Sequence, residues 1–284
     1  MNLERHTARL RRGILRLDPR GRIGPEANPD FLLIGAKRCG STALFASLTT
    51  HPGVIGPRGT KGTHYFDVNH GRGVVWYRSS FPATVAARRR RGEPLAVGEA
   101  SPYYLFHPLA ASRIAAELPG VRLVAILRDP VTRAWSHYRY EVRRGFEDLS
   151  FADALQAEPD RLSGEAQQIR SHSGYESFHH RHHSYLARGR YAEQLGEFLA
   201  SFAPEQILVL QSEAFFAHPR RELARVVSYL GLPPAPVTPP PPGPTNEPDG
   251  AGPMDAELRR WLTDYFQPHN ERLYQLPMID FRWG

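Results

Sequence analysis

The stretch FLLIGAKRCGSTALFASL, residues 31–48, decides the fold. It opens on FLLIGA (31–36), a continuous apolar run of the kind that forms a buried strand. GAKRCGST (35–42) then predicts a tight loop, and STALFASLTTH a helix that begins at the loop's end. Strand, glycine-containing loop and helix form the opening unit of a parallel sheet. The loop has the layout of an anion cradle, because glycine lets the backbone approach a ligand and N–H groups at the helix start point at its oxygens. In a nucleoside triphosphatase the pattern would be G-x-x-x-x-G-K-[ST], with the lysine on the β/γ-phosphates and the hydroxyl on magnesium. Ser41 stands in that lysine slot, and Lys37 and Arg38 place the positive charge inside the loop. These departures argue against magnesium-dependent phosphoryl transfer and for a nucleotide with fewer contiguous phosphates.

Working outward, VRLVAILRDP (121–130) predicts a second buried strand, and VTRAWSHYRYEVRRG continues as a helix from Pro130. Arg128 ends that strand and Ser136 follows eight residues later. A guanidinium and a hydroxyl converging there would suit a terminal phosphate on a ribose; a surface Arg–Asp pair and a helix-interior serine fit the spacing equally well. QILVLQSE (206–213) predicts a third strand between the helices YAEQLGEFLASF and PRRELARVVSYLG. Strands alternating with helices predict an α/β fold, a central parallel sheet with flanking helices and a P-loop-like nucleotide site. PPAPVTPPPPGP (233–244) reads as a stiff polyproline connector, TNEPDGAGPM as loop, and MDAELRRWLTDYFQPHNERLYQL as a last helix. The expected division is a basic N-terminal extension, 1–28, and one domain, 29–284.

The formal net charge of +7 favours an anionic partner. ARRRRG (87–92) lacks interleaved aromatics and reads as a solvated patch in a loop, so no nucleic-acid partner is expected. Cys39 is the single cysteine, which excludes an internal disulfide and favours a reducing, cytoplasmic home. No apolar run reaches the length of a membrane span, and no stable membrane insertion is expected, although Leu3, Leu10, Ile14 and Leu17 lie at roughly helical spacing among arginines. The histidines of HSGYESFHHRHHSY (172–185) lack the helical zinc pattern with its glutamate. That stretch reads as a flexible polar lid loop, and no metal is expected.

Taken together, GAKRCGSTAL and LRDPVTRAWSHY (127–138) resemble the 5′-phosphosulfate loop and the 3′-phosphate motif of the sulfotransferases that use 3′-phosphoadenosine 5′-phosphosulfate (PAPS). The likeness is to the carbohydrate branch, which includes heparan sulfate N- and 3-O-sulfotransferases and bacterial relatives. KGTHYFD (61–67) and GEASPYYLFHP (98–108) resemble that branch's two acceptor-side segments, and the similarity runs from about residue 29 onward. It implies PAPS as donor, no metal, and in-line transfer of the sulfuryl group to a hydroxyl, or less readily an amine, of a carbohydrate or other small acceptor.

The resemblance assigns nucleotide binding to Lys37, Arg38, Cys39, Gly40, Ser41, Thr42, Arg128 and Ser136. Two departures stand out. Arg38 replaces the usual loop lysine; it keeps the charge and donor capacity but is a poorer proton donor. Gly62 occupies the place of the branch's common glutamate base, and a glycine cannot take a proton. His64, two residues along, is the first candidate for that task and Glu99 the second, as base or as orienter of His64. Tyr185, Arg190 and Tyr191 fit a nucleotide or acceptor contact and an ordinary helix start alike. A kinase or nucleoside triphosphatase, and a non-catalytic nucleotide- or polyanion-binding protein, are the alternative readings.

Overall fold

The computed structural model describes residues 28–172, 174–240 and 253–284. The expected N-terminal extension, with Leu3, Leu10, Ile14 and Leu17, lies outside the described residues apart from residue 28, as does most of TNEPDGAGPM.

Five strands form one all-parallel sheet: β1 (Phe31–Gly35), β2 (Val54–Ile55), β3 (Ala96–Ala100), β4 (Arg122–Leu127) and β5 (Ile207–Gln211), in the order β2-β3-β1-β4-β5. β1 lies at the centre because helices cover both faces of a parallel sheet and only apolar side chains tolerate that burial. Phe31, Leu32, Leu33 and Ile34 are accordingly fully buried. β3 and β4 flank β1 on opposite sides, so the chain changes direction across the sheet beside β1. In open α/β sheets, ligands bind at such a switch point, off the carboxyl ends of the strands. Three loops meet there: the one after β1, the one after β3 and the one after β4.

The helices agree closely with expectation: Ser41–Leu48 after β1, Pro130–Arg143 after β4, Tyr191–Leu199 before β5, Pro219–Tyr229 after it, and Ala256–Leu273 near the end of the chain. Two expectations need correction. ARRRRG is helical through Arg90, in a helix Thr84–Arg90, because its arginines find acids: Arg88 pairs with Glu93 and Arg89 with Asp30, each at 2.5 Å. The histidine-rich stretch is no open loop either. Phe178–His182 is a short helix whose His180 and His182 are buried against aromatic rings, His180 stacking on Phe106 at 4.3 Å.

Candidate functional site

The loop after β1 is pinned at its start by the Ala36 N–H, which donates to Ile126 O at the end of β4 (2.9 Å). Arg38 (φ +71°) and Gly40 (φ +98°) both take left-handed backbone and curl the chain tightly. That conformation strains a side-chain-bearing residue, and strain of this kind collects at ligand sites. Gly40 is doubly required, since a Cβ there would stand 2.9 Å from the Phe216 ring. Gly40 also caps the helix Ser41–Leu48 with no side-chain cap, and the first turn carries no acid. The first N–H groups of the helix therefore lack intrahelical acceptors and offer an anion site.

The loop gathers the residues expected around it. Arg38 Nε donates to Ser136 Oγ at 3.2 Å, joining the β1 loop to the helix after β4. The Arg38 guanidinium also lies over the Tyr140 ring, 4.7 Å from its centroid. Burial, then the charges of Arg143 and Arg128, lower its pKa, so Arg128 is close enough to be felt by the loop. Asp129 caps the helix that carries Ser136, accepting from Thr132 N at 2.8 Å.

Lys37 and Cys39 turn elsewhere. Lys37 Nζ donates to Glu141 at 2.5 Å and to Arg181 O at 3.2 Å, and burial, reinforced by the charge of Arg188, lowers its pKa to about 7. Burial would raise the pKa of Glu141, but His137, His182 and Lys37 hold that carboxyl well below its usual range. The Cys39 thiol is buried beside Tyr191 Oη (3.7 Å), burial raises its pKa, and its N–H donates to Ala36 O at 3.3 Å.

Lys61, which the sequence reading passed over, supplies a cation to the loop. Its Nζ donates to Thr42 Oγ1 at 2.7 Å and to Ser41 Oγ at 3.4 Å. Burial lowers its pKa to about 8. Its position at the head of KGTHYFD was the available signal, and nothing local tells it from a solvated loop lysine.

Glu99 explains the shape of that segment. It is fully buried on β3, and four consecutive backbone N–H groups resolve onto its carboxylate. Thr63 N donates to it directly at 2.6 Å. The N–H groups of His64, Tyr65 and Phe66 donate to the hydroxyls of Ser101, Thr63 and Tyr104, and each hydroxyl donates to Glu99 at 2.8 Å. An acceptor-only carboxylate suits this nest of donors. Gly62 has no room for a side chain: a Cβ would stand 2.2 Å from Ala100 O and 2.6 Å from Ser101 Oγ. The nest holds His64 at φ +53°, with its side chain one-third exposed.

His64 Nδ1 lies 2.8 Å from Oδ2 of Asp67, whose side chain is buried and whose Oδ1 accepts from Val68 N at 2.6 Å. An ionised carboxylate only accepts, so Nδ1 carries the hydrogen, and in the neutral ring the lone pair falls to Nε2. Asp67 also borders a cavity of about 190 Å³ lined by Arg72, Tyr103, His107, Arg113 and Arg181. Three histidines of the 172–185 stretch are engaged in packing: His180 Nδ1 meets Tyr103 Oη at 2.8 Å, His182 Nδ1 meets Glu141 at 3.1 Å, and His183 Nε2 donates to Phe146 O at 2.7 Å. His179 and His183 lie four residues apart with their Nδ1 atoms 2.8 Å from each other. Of the open positions, Tyr185 is buried with its hydroxyl on Glu147, Arg190 reaches Glu193 at 3.7 Å, and Tyr191 donates to Arg128 O at 2.9 Å.

Comparison with known proteins gives a consistent result. A family model described as a sulfotransferase domain matches residues 28–245. The heparan sulfate glucosamine 3-O-sulfotransferase 3B1 of Homo sapiens is 28% identical over 289 residues, covering 92% of this chain and 66% of that protein. The bifunctional heparan sulfate N-deacetylase/N-sulfotransferase 1 of Caenorhabditis briggsae is 30% identical over 224 residues, covering 76% of this chain and 24% of that protein. The chain thus spans just under two thirds of the length of the 3-O-sulfotransferase and far less of the bifunctional protein. Among solved structures, a sulfotransferase from Alicyclobacillus acidocaldarius superposes with a TM-score of 0.67 at 30% identity, covering 89% of this chain and 97% of that one.

Proposed function

The chain belongs to the sulfotransferase domain family, and from that premise we propose that it moves a sulfuryl group from PAPS to a hydroxyl of a carbohydrate acceptor. The observation that carries this reading is the Arg38–Ser136 hydrogen bond, which closes two stretches 98 residues apart around one uncapped helix start. That arrangement suits an adenosine with anionic groups on both ends of its ribose. PAPS supplies an activated sulfur whose leaving group is a phosphate.

In this reading the N–H groups and hydroxyls of Ser41 and Thr42 hold the 5′-phosphosulfate, with Arg38 and Lys61 balancing charge as the S–O bond to the phosphate breaks. Lys61 takes the place first given to Lys37, whose ammonium is occupied by Glu141. Arg128 and Ser136 grip the 3′-phosphate. His64 Nε2 accepts the acceptor's proton as its oxygen bonds to sulfur from the side opposite the leaving phosphate, and Asp67 stabilises the imidazolium through Nδ1–H. Glu99 acts as a positioning residue beneath His64, since its oxygens are already saturated with donors. The tight fit of Gly62 against β3 accounts for a base two residues along instead. The cavity bordered by Asp67 would take the acceptor. One buried, free cysteine fits a reducing compartment such as the cytoplasm.

The test is a thermal-shift panel with 3′-phosphoadenosine 5′-phosphate (PAP), AMP and magnesium-ATP, followed by transfer of radiolabelled sulfate from PAPS to a panel of sugar acceptors in EDTA. A ligand that binds only the folded state raises its stability. Stabilisation by PAP beyond AMP, with label transferred in EDTA, is the expected result. Preference for magnesium-ATP would overturn it.

A further inference from the structure

We infer that the segment after the last helix is part of the nucleotide site, and that Trp283 and Glu213 are positioning residues for Arg128. This rests on the donor reading above. The peptide unit between Arg128 and Asp129 is held on both sides: its carbonyl accepts from Tyr191 Oη at 2.9 Å, and its N–H donates to Glu213 Oε1 at 3.0 Å. Trp283 touches both holders. Its indole N–H donates to Glu213 Oε2 at 3.1 Å, and its ring lies 6.0 Å from that of Tyr191.

Trp283 is itself fixed. Its backbone N–H donates to Tyr274 Oη at 3.1 Å, and it packs on Phe281 at 5.3 Å. Two further contacts tie the segment down, from Asp280 to Arg225 at 2.7 Å and from Arg282 O to Gln211 Nε2 at 3.5 Å. The Glu213 carboxylate is thus a bridge with the segment on one oxygen and the Arg128–Asp129 peptide on the other. A peptide held at both its donor and its acceptor resists rotation, which fixes the backbone from which the Arg128 side chain departs. Among the described residues no such carboxylate bridge reaches Ser41 or Thr42, and the Tyr191–Cys39 contact (3.7 Å) does not depend on Glu213, so the effect falls chiefly on the 3′-phosphate end of the nucleotide.

Isothermal titration of the full chain with PAP and with AMP, which lacks the 3′-phosphate, separates this role from a general one. Trp283→Ala and Glu213→Ala should weaken PAP on the order of tenfold, the equivalent of about one hydrogen bond, and leave AMP within about twofold. Trp283→Phe, which keeps the ring and loses only the N–H, should give a smaller loss of the same selectivity. Glu213→Gln, which keeps one accepting oxygen, should recover part of it. Equal weakening of both ligands, or of neither, overturns the inference while the donor reading stands. A wild-type chain that binds PAP and AMP alike overturns both.

Discussion

Replacing Glu99 separates a positioning carboxylate from a catalytic one. In Glu99→Ala the Thr63 N–H and the hydroxyls of Thr63, Ser101 and Tyr104 lose their acceptor together. The Thr63 and Tyr104 hydroxyls are 3.4 Å apart and one can donate to the other, which leaves about three buried donors stranded. At about 1–3 kcal/mol per stranded donor, the expected destabilisation is about 3–9 kcal/mol. Glu99→Gln keeps the volume and one accepting end, and should cost about 1–2 kcal/mol. Urea unfolding with unchanged m-values measures both. In steady-state assays Glu99→Gln should lower kcat by about tenfold or less with PAP affinity unchanged, because His64 is loosened but still present. If Glu99 were instead the base, Glu99→Gln would lose about 10²–10⁴ in kcat at little cost in stability while His64→Ala kept its rate. That outcome would refute the nest as the reason for this residue.

Three other perturbations have defined outcomes. His64→Ala should lower kcat by about 10²–10⁴ with PAP binding kept within a few-fold, and Asp67→Asn, which no longer stabilises an imidazolium, should give a smaller loss; titration calorimetry alongside the rate assay checks both. Gly62→Ala should destabilise the fold by about 1–3 kcal/mol through its clash with Ala100 O, and Gly62→Glu should not accelerate transfer, as unfolding and rate measurements would show. Burial lowers the pKa of His107 to about 4 and of His180 to about 2, from 6.5, so below about pH 6.5 the unfolded chain takes up protons that these two folded residues refuse. Stability should therefore fall with pH by up to about 1.4 kcal/mol per unit for each of them, and urea midpoints from pH 7.5 to 4.5 should show a shallower slope in His180→Phe.

The central βα units were legible because each carries a long buried strand ending in distinctive loop chemistry. β1 falls within a residue of its expected limits, β4 stops at Leu127, short of the expected Arg128–Pro130, and Ser136 bonds to Arg38 of the loop around Gly40. β3 was less visible as a strand: AVGEA is five residues long, with a glycine and a glutamate that weaken its apolar signal. Its glutamate is tolerable only because four donors converge on it, two from Ser101 and Tyr104 just beyond the strand and two from Thr63 on a segment 36 residues away, and the latter depend on tertiary structure. The burial of Lys37 with Glu141 was hidden for the same reason, since 104 residues separate the partners. His180 and His182 read as polar on composition, yet aromatic partners on two separate segments, Tyr103 and Phe106 on one and Phe146 on the other, let them be buried. The arginines of 87–92 read as a loop because the helix they close is short and its acidic partners lie outside it.

The donor loop and the acceptor-side segment hang from different strands, the first from β1 and β4, the second from β3 through Glu99. On the proposed function, retooling this protein for new acceptors is therefore an edit to the rim. Exchanges at Arg72 or Tyr175, which wall the cavity, touch neither the curled loop nor the nest beneath His64. Libraries confined to those positions can be screened with one donor assay throughout.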